Sequence, residues 1–175
     1  MNYLVDEFPR EYDVETDVEL HGGEDVIDLY AGTRIQDGLL VRTQVAGKRR
    51  VWRCGFGDSE LTTILATPDP TALCIVARGI GYLIRPEFPE QSTVLPLWFI
   101  RHVRAYPVDR CVLLADDSNI AALGPVGVSW TSPRVSSDGI GLGASEDGVA
   151  QVTVWSAPRG REETVRIELA TGKIL

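Results

Sequence analysis

Few side chains in this sequence are equipped for nucleophilic or metal chemistry. There are three cysteines, Cys54, Cys74 and Cys111, and two histidines, His21 and His102. No cysteine pair has C-x-x-C spacing and no H-x-x-x-H occurs, so no zinc site is expected from Cys and His. The most concrete catalytic arrangement joins Cys54 or Cys111 to His102 and an aspartate. Cys54 follows Arg53 and a basic stretch, the kind of electropositive setting that lowers a thiol pKa. That arrangement gives one functional alternative, a small hydrolase with its site near Cys54 and His102. No G-x-S-x-G elbow is present. Gly55-Phe56-Gly57-Asp58 is not followed by the Lys-Ser/Thr of a phosphate loop. Asp116-Asp117-Ser118-Asn119 offers oxygen ligands but lacks the Gly and distal Glu of a calcium loop, and Asp and Asn are equally turn residues. With 25 acidic residues, a paired-carboxylate reading finds candidates anywhere and decides nothing. No cofactor and no metal is implied.

Charge is the next source of chemistry. The net charge is −8. Residues 1–28 hold ten acids against one base, Arg10, and the remaining acids and bases nearly cancel. The balanced remainder argues against a dedicated nucleic-acid binder. Tyr12 to Leu20 alternates strictly. Val14, Thr16, Val18 and Leu20 fall on one face, and Asp13, Glu15, Asp17 and Glu19 on the other, the period of a half-buried strand. Its carboxylate row reads as an edge strand protected from aggregation, as a docking strip for a basic partner, or as a phosphate mimic. Lys48, Arg49, Arg50 and Arg53 form the only compact basic cluster. It reads as a solvated hairpin tip, an anion contact, or a partner for the acidic strip of the same or a neighbouring chain. Trp52, Trp98, Trp130 and Trp155 are expected as packing anchors; on a concave face they would instead suggest a sugar or peptide groove.

These groups need elements to hold them. Val26–Ala31 reads as a strand ended by Gly32. Leu39–Val45 and Val51–Cys54 read as a hairpin around a loop over residues 46–50. Asp58-Ser59-Glu60 could cap a short helical turn. Pro68 and Pro70 halt pairing before Leu73–Ala77, a buried strand, and Gly79 and Gly81 permit a reversal or bulge before Tyr82–Ile84. Val94–Ile100 is markedly apolar but carries Pro96, so it is an edge strand or a core-covering connector. Exposed, it would be a contact patch with Trp98 at its centre.

The second half echoes this pattern. Ala66-Thr67-Pro68 matches Ala105-Tyr106-Pro107, 39 positions on. Leu73–Ala77 matches Cys111–Ala115, and Tyr82–Ile84 matches Ile120–Leu123. A weaker third copy runs from Val128 to Trp155. A period near 40 with three or four short strands per unit resembles the blade repeat of β-propellers over residues 60–155, without a blade signature. The chain barely reaches the length of a closed ring. The expected architecture is therefore one all-β domain over residues 1–175, mainly antiparallel, as a two-sheet sandwich or an incomplete propeller-like stack of meanders. Residues 1–10 are expected as a loose arm.

No apolar run approaches the roughly 18 residues of a membrane span, and no signal peptide is read at the start. The odd, widely spaced cysteines fit a reduced cytoplasmic protein. The leading functional expectation is a non-enzymatic protein-interaction module, for instance an acidic inhibitor or immunity-type binder of a basic partner. The hydrolase is one alternative. Self-association as a structural subunit of a homo-oligomer is the other.

Overall fold

The computed structural model describes residues 4–30 and 37–175. The fold is all-β. The strands are β1 (Leu4–Val5), β2 (Asp13–Glu15), β3 (Val26–Leu29), β4 (Gly38–Val45), β5 (Lys48–Gly55), β6 (Thr63–Ala66), β7 (Leu73–Ala77) and β8 (Ile80–Ile84). After a 3-10 turn at Pro89–Gln91 come β9 (Thr93–Val94), β10 (His102–Tyr106), β11 (Cys111–Ala115) and β12 (Ile120–Gly124). The chain ends with β13 (Gly127–Thr131), β14 (Ile140–Glu146), β15 (Val149–Ser156) and β16 (Arg161–Glu168). No helix among the described residues is long and apolar enough to cross a membrane.

Four sheets form, in the orders β2-β4-β5-β3, β1-β6-β7-β8-β9, β10-β11-β12-β13 and β14-β15-β16. We number them first to fourth in that order. They are layered in sequence, and each neighbouring pair shares one hydrophobic cluster. Trp52, Cys54 and Val41 of the first sheet meet Leu73, Ile75 and Tyr82 of the second. Cys74, Val76 and Leu83 of the second meet Val112, Leu114 and Leu123 of the third. Leu113, Ala115 and Ile120 of the third meet Ile140, Val152 and Ile167 of the fourth. Among the described residues no strand pairing joins the fourth sheet to the first, so the stack is open and no barrel closes.

The apolar runs follow from this layering. A strand with neighbours on both faces needs apolar residues at every position, not at alternate ones. In β7, Leu73, Ile75 and Ala77 point into one cluster while Cys74 and Val76 point into the next. In β11, Cys111, Leu113 and Ala115 face the fourth sheet while Val112 and Leu114 face the second. All five residues of each strand are buried. Tyrosine hydroxyls add polar ties between layers. Tyr12 donates to the Ala72 carbonyl at 2.7 Å, Tyr82 to Gly55 at 2.8 Å and Tyr106 to Gly143 at 2.8 Å.

Several local expectations change. The third repeat begins at β14, whereas Val128–Thr131 lies within β13, the last strand of the third sheet. The first hairpin turns on two residues, Ala46 (φ 48) and Gly47 (φ 77), the positive-φ pair of a type I′ turn. Lys48, Arg49 and Arg50 are therefore in β5, not in a loop. Asp58-Ser59-Glu60 is a bend and not a helical turn. Arg78 and Gly79, both at positive φ, make the β7–β8 reversal, while Gly81 lies inside β8. A Cβ on Gly81 would stand 2.7 Å from Ile100 Cδ1 and 2.8 Å from Leu95 Cδ1, so close packing of the connector demands glycine there. The segment before β2 is no loose arm where it is described. Leu4–Val5 pairs in parallel with β6, and Phe8 is buried in the core between the second and third sheets. Ala31 and Gly32, the expected end of the third strand, lie outside the described residues.

Leu113 is fully buried between the third and fourth sheets. Truncating it leaves a cavity that two rigid layers cannot close. Leu113→Ala is expected to lower unfolding free energy by about 2–5 kcal/mol in chemical denaturation, against about 0.5 kcal/mol or less for the exposed turn residue Val108→Ala.

Candidate functional site

The acidic strip is only partly available. Strand pairing stops after Glu15, and Asp17 takes a left-handed φ of 57. Burial still alternates as far as Val18, but beyond Glu15 the chain crosses the outer face of the first sheet instead of extending it. Arg42 of β4 draws it there. Its side chain is buried, and its guanidinium binds Glu15 at 2.8 Å, Glu24 at 2.7 Å and the Glu19 carbonyl at 3.2 Å. Arg49 also approaches Glu15, at 3.6 Å. Two expected site groups, Glu15 and Arg49, thus meet within one chain. Arg50 goes elsewhere, donating to the Pro86 carbonyl of the second sheet's loop. Arg53 pairs with Asp28 at 3.3 Å. Lys48, Asp13 and Asp17 stay exposed. Among the described residues none of these three has an ion-pair partner.

The Glu24 carboxyl is held below its ordinary value of 4.5, first by the His21 backbone N–H it accepts and then by Arg42. Because the folded value lies below the unfolded one, this stabilisation is complete above pH 4.5 and is lost as pH falls through the lowered folded value. Protection factors of the His21, Glu24 and Val51 amides, taken relative to intrinsic exchange at each pH, are expected to fall under acid before those of the cores of the stack. Arg42→Met should produce the same loss of protection at neutral pH. Unchanged protection in that variant would show that Arg42 does not hold the segment.

The cysteines are closed off. Cys54 and Cys74 are fully buried and Cys111 nearly so. Burial pushes the Cys74 and Cys111 thiols up to about 12 and Cys54 further still. Catalytic thiols need the reverse environment. His102 is exposed at the start of β10 in the third sheet, whereas Cys54 packs between the first and second. The expected Cys54–His102 pair is not assembled. No group of three or more Cys, His, Asp or Glu residues suited to a metal ion is found among the described residues. Asp116 makes a turn, accepting from the Ser118 and Asn119 amides at 2.7 Å each.

Trp98 leads to a different surface. The segment from β9 to β10 alternates in burial. Leu95, Leu97 and Ile100 enter the core, while Trp98 and Phe99 are 56% and 47% exposed. Phe99 has φ 59, an outlier for a bulky residue. The chain is pinned on both sides of it. The Ile100 amide donates to the Gly79 carbonyl at 2.8 Å, and the Ile100 carbonyl accepts from Ser59 Oγ at 3.2 Å. Gly79 makes the approach possible, since a Cβ there would lie 2.4 Å from Ser59 Cβ and 3.2 Å from Phe99 Cα.

His102 lies three residues beyond Phe99 and borders two depressions at the same end of the stack. One, of about 430 Å³, is lined by Asp58, Ser59, Glu60, Leu61 and Arg101. The other, of about 250 Å³, lies between Asp138–Gly141, Thr153–Trp155 and Glu162. Among the described residues no side chain orients the His102 imidazole by a hydrogen bond. A wider depression of about 660 Å³ at the opposite end of the fourth sheet mixes Glu146 and Asp147 with Arg166 and has no aromatic. Trp52 and Trp130 are the packing anchors expected, donating to Thr43 Oγ1 and to the Leu169 carbonyl, each at 2.8 Å. Trp155, 38% exposed, is not one of them. No protein-family model matches the chain, and no curated protein matches it.

The strain at Phe99 has a measurable signature. Glycine adopts φ near 60 without the steric penalty of a side chain, so Phe99→Gly is expected to raise unfolding free energy by about 0.5–1 kcal/mol. A loss of about 1 kcal/mol or more would mean that the ring packs for stability.

Proposed function

We propose that this chain is a non-enzymatic protein-interaction module that binds its partner through the end of the stack carrying Trp98 and Phe99. The observation that carries this reading is the exposed aromatic pair with Phe99 in a left-handed conformation. A strained, solvent-facing aromatic contributes little to a core and costs backbone energy, and such strain concentrates at functional positions. Tryptophan and its aromatic neighbours are also the side chains that dominate protein interfaces. The carboxylates of Asp58 and Glu60 on one side, and of Asp138 and Glu162 on the other, favour a basic partner, in keeping with an inhibitor-like or immunity-like role. The acidic strip at Asp13 to Glu19 is secondary in this reading, because Glu15 is already engaged by Arg42 and Arg49. Three buried, unpaired thiols fit a reducing, cytoplasmic setting. The polar outer faces of the two terminal sheets weigh against a structural homo-oligomer built by stacking.

The test is affinity capture from native extract on the immobilised chain. A specific partner should be retained by the native protein and lost, about tenfold or more, from a Trp98→Ala/Phe99→Asn variant of unchanged stability. Asparagine tolerates the left-handed conformation, so the backbone is preserved. Capture that survives this double substitution excludes the surface, and absence of any specific partner removes the module reading.

A further inference from the structure

We propose that the cleft bounded by His102, Asp138, Trp155 and Glu162 is a receptor for an arginine side chain of a basic protein partner. The inference rests on the interaction-module reading and names the chemistry that one part of that surface selects. Trp155 and Glu162 are directly opposed across β15 and β16, so a carboxylate stands beside the exposed indole on one sheet face. Asp138 is brought to the same cleft by a rigid turn. The buried Ser136 hydroxyl accepts from the Trp155 amide at 2.9 Å and donates to the Gly139 carbonyl at 2.7 Å, and the Ser137 amide donates to the Trp155 carbonyl at 3.0 Å. Gly139, at φ 83, closes the turn by donating to the Asp117 carbonyl at 2.9 Å. Gly141 and Thr153 also line the cleft, and both are small beside the partly exposed Trp155.

The neighbouring cations are committed elsewhere. Arg101 pairs with Asp117 at 2.7 Å, Arg161 and Arg159 reach Glu163, and Arg134 donates to the Ser136 and Ser137 carbonyls. Among the described residues Asp138 and Glu162 have no ion-pair partner. Two unpaired carboxylates flanking an exposed indole complement a planar cation that stacks on the ring and donates in two directions. Guanidinium meets both demands, whereas an ammonium is a compact point charge without a stacking face.

The probe is a capped tri-arginine peptide titrated into the intact chain, followed by the Trp155 indole N–H resonance, assigned with Trp155→Phe. The account predicts a saturable shift of that resonance. It predicts binding about tenfold weaker for the neutral tri-citrulline peptide and for an Asp138→Asn/Glu162→Gln variant, both of which preserve shape while removing charge. Asp13→Asn/Asp17→Asn should leave the affinity unchanged. An unmoved Trp155 signal, equal binding of the citrulline peptide, or loss of binding in the Asp13/Asp17 variant instead would each overturn the proposal. Any of these failures leaves the capture experiment on Trp98 and Phe99 unaffected, so the two readings fail separately.

Discussion

The fold depends on burying both faces of its two middle sheets at once. Neither the β7–β8 pair nor the β11–β12 pair has a polar face to present to water, since every residue in these four strands is buried. A small sheet with two apolar faces is insoluble alone, and it becomes stable only between two partners. Each layer therefore fixes its neighbour, and the order of layers follows the order of the chain because the connections are short. Glycines sit where layers or connectors come closest. Gly81 admits Leu95 and Ile100, and Gly79 admits Ser59 and the backbone of Phe99.

A stack held together this way must end somewhere, and the two ends are finished differently. On the first sheet, Arg42 gathers Glu15, Glu24 and the Glu19 carbonyl, and so draws an acidic segment over the outer face. On the fourth, the positions facing out carry Gln151 opposite Arg166, Thr153 opposite Thr164 and Trp155 opposite Glu162, a mainly polar surface with one exposed indole. This is the capping logic of repeat proteins, in which terminal units need a hydrophilic outer side. With most apolar positions covered, Trp98 and Phe99 before β10 and Trp155 on β15 are left as the surface with aromatic character.

Much of the architecture was legible in the sequence because double-sided burial writes itself as uninterrupted apolar runs. Leu73–Ala77 and Cys111–Ala115 declared themselves as buried strands, and their spacing disclosed the repeat. What was hidden depended on contacts between residues far apart. The alternation from Tyr12 is real in burial as far as Val18, yet it predicts a long strand where Asp17 turns the chain, because the attraction of Arg42 leaves no mark on local periodicity. Phe8 could not be placed without knowing that β1 pairs with β6. The surface was the least legible part. Trp98 stood out as part of an apolar run, but nothing local showed that Phe99 beside it would be strained and exposed. Nothing in the local sequence brings Asp138 near Trp155, and Glu162 gained meaning only once β15 and β16 set it opposite Trp155.

An open four-layer stack whose end sheets carry mainly polar outer faces should need no second copy to be stable. Sedimentation equilibrium across a wide concentration range measures this. A single species at the monomer mass of 19.2 kDa is expected throughout. A concentration-dependent rise towards a dimer would mean instead that a terminal sheet is unfinished and stacks against its counterpart.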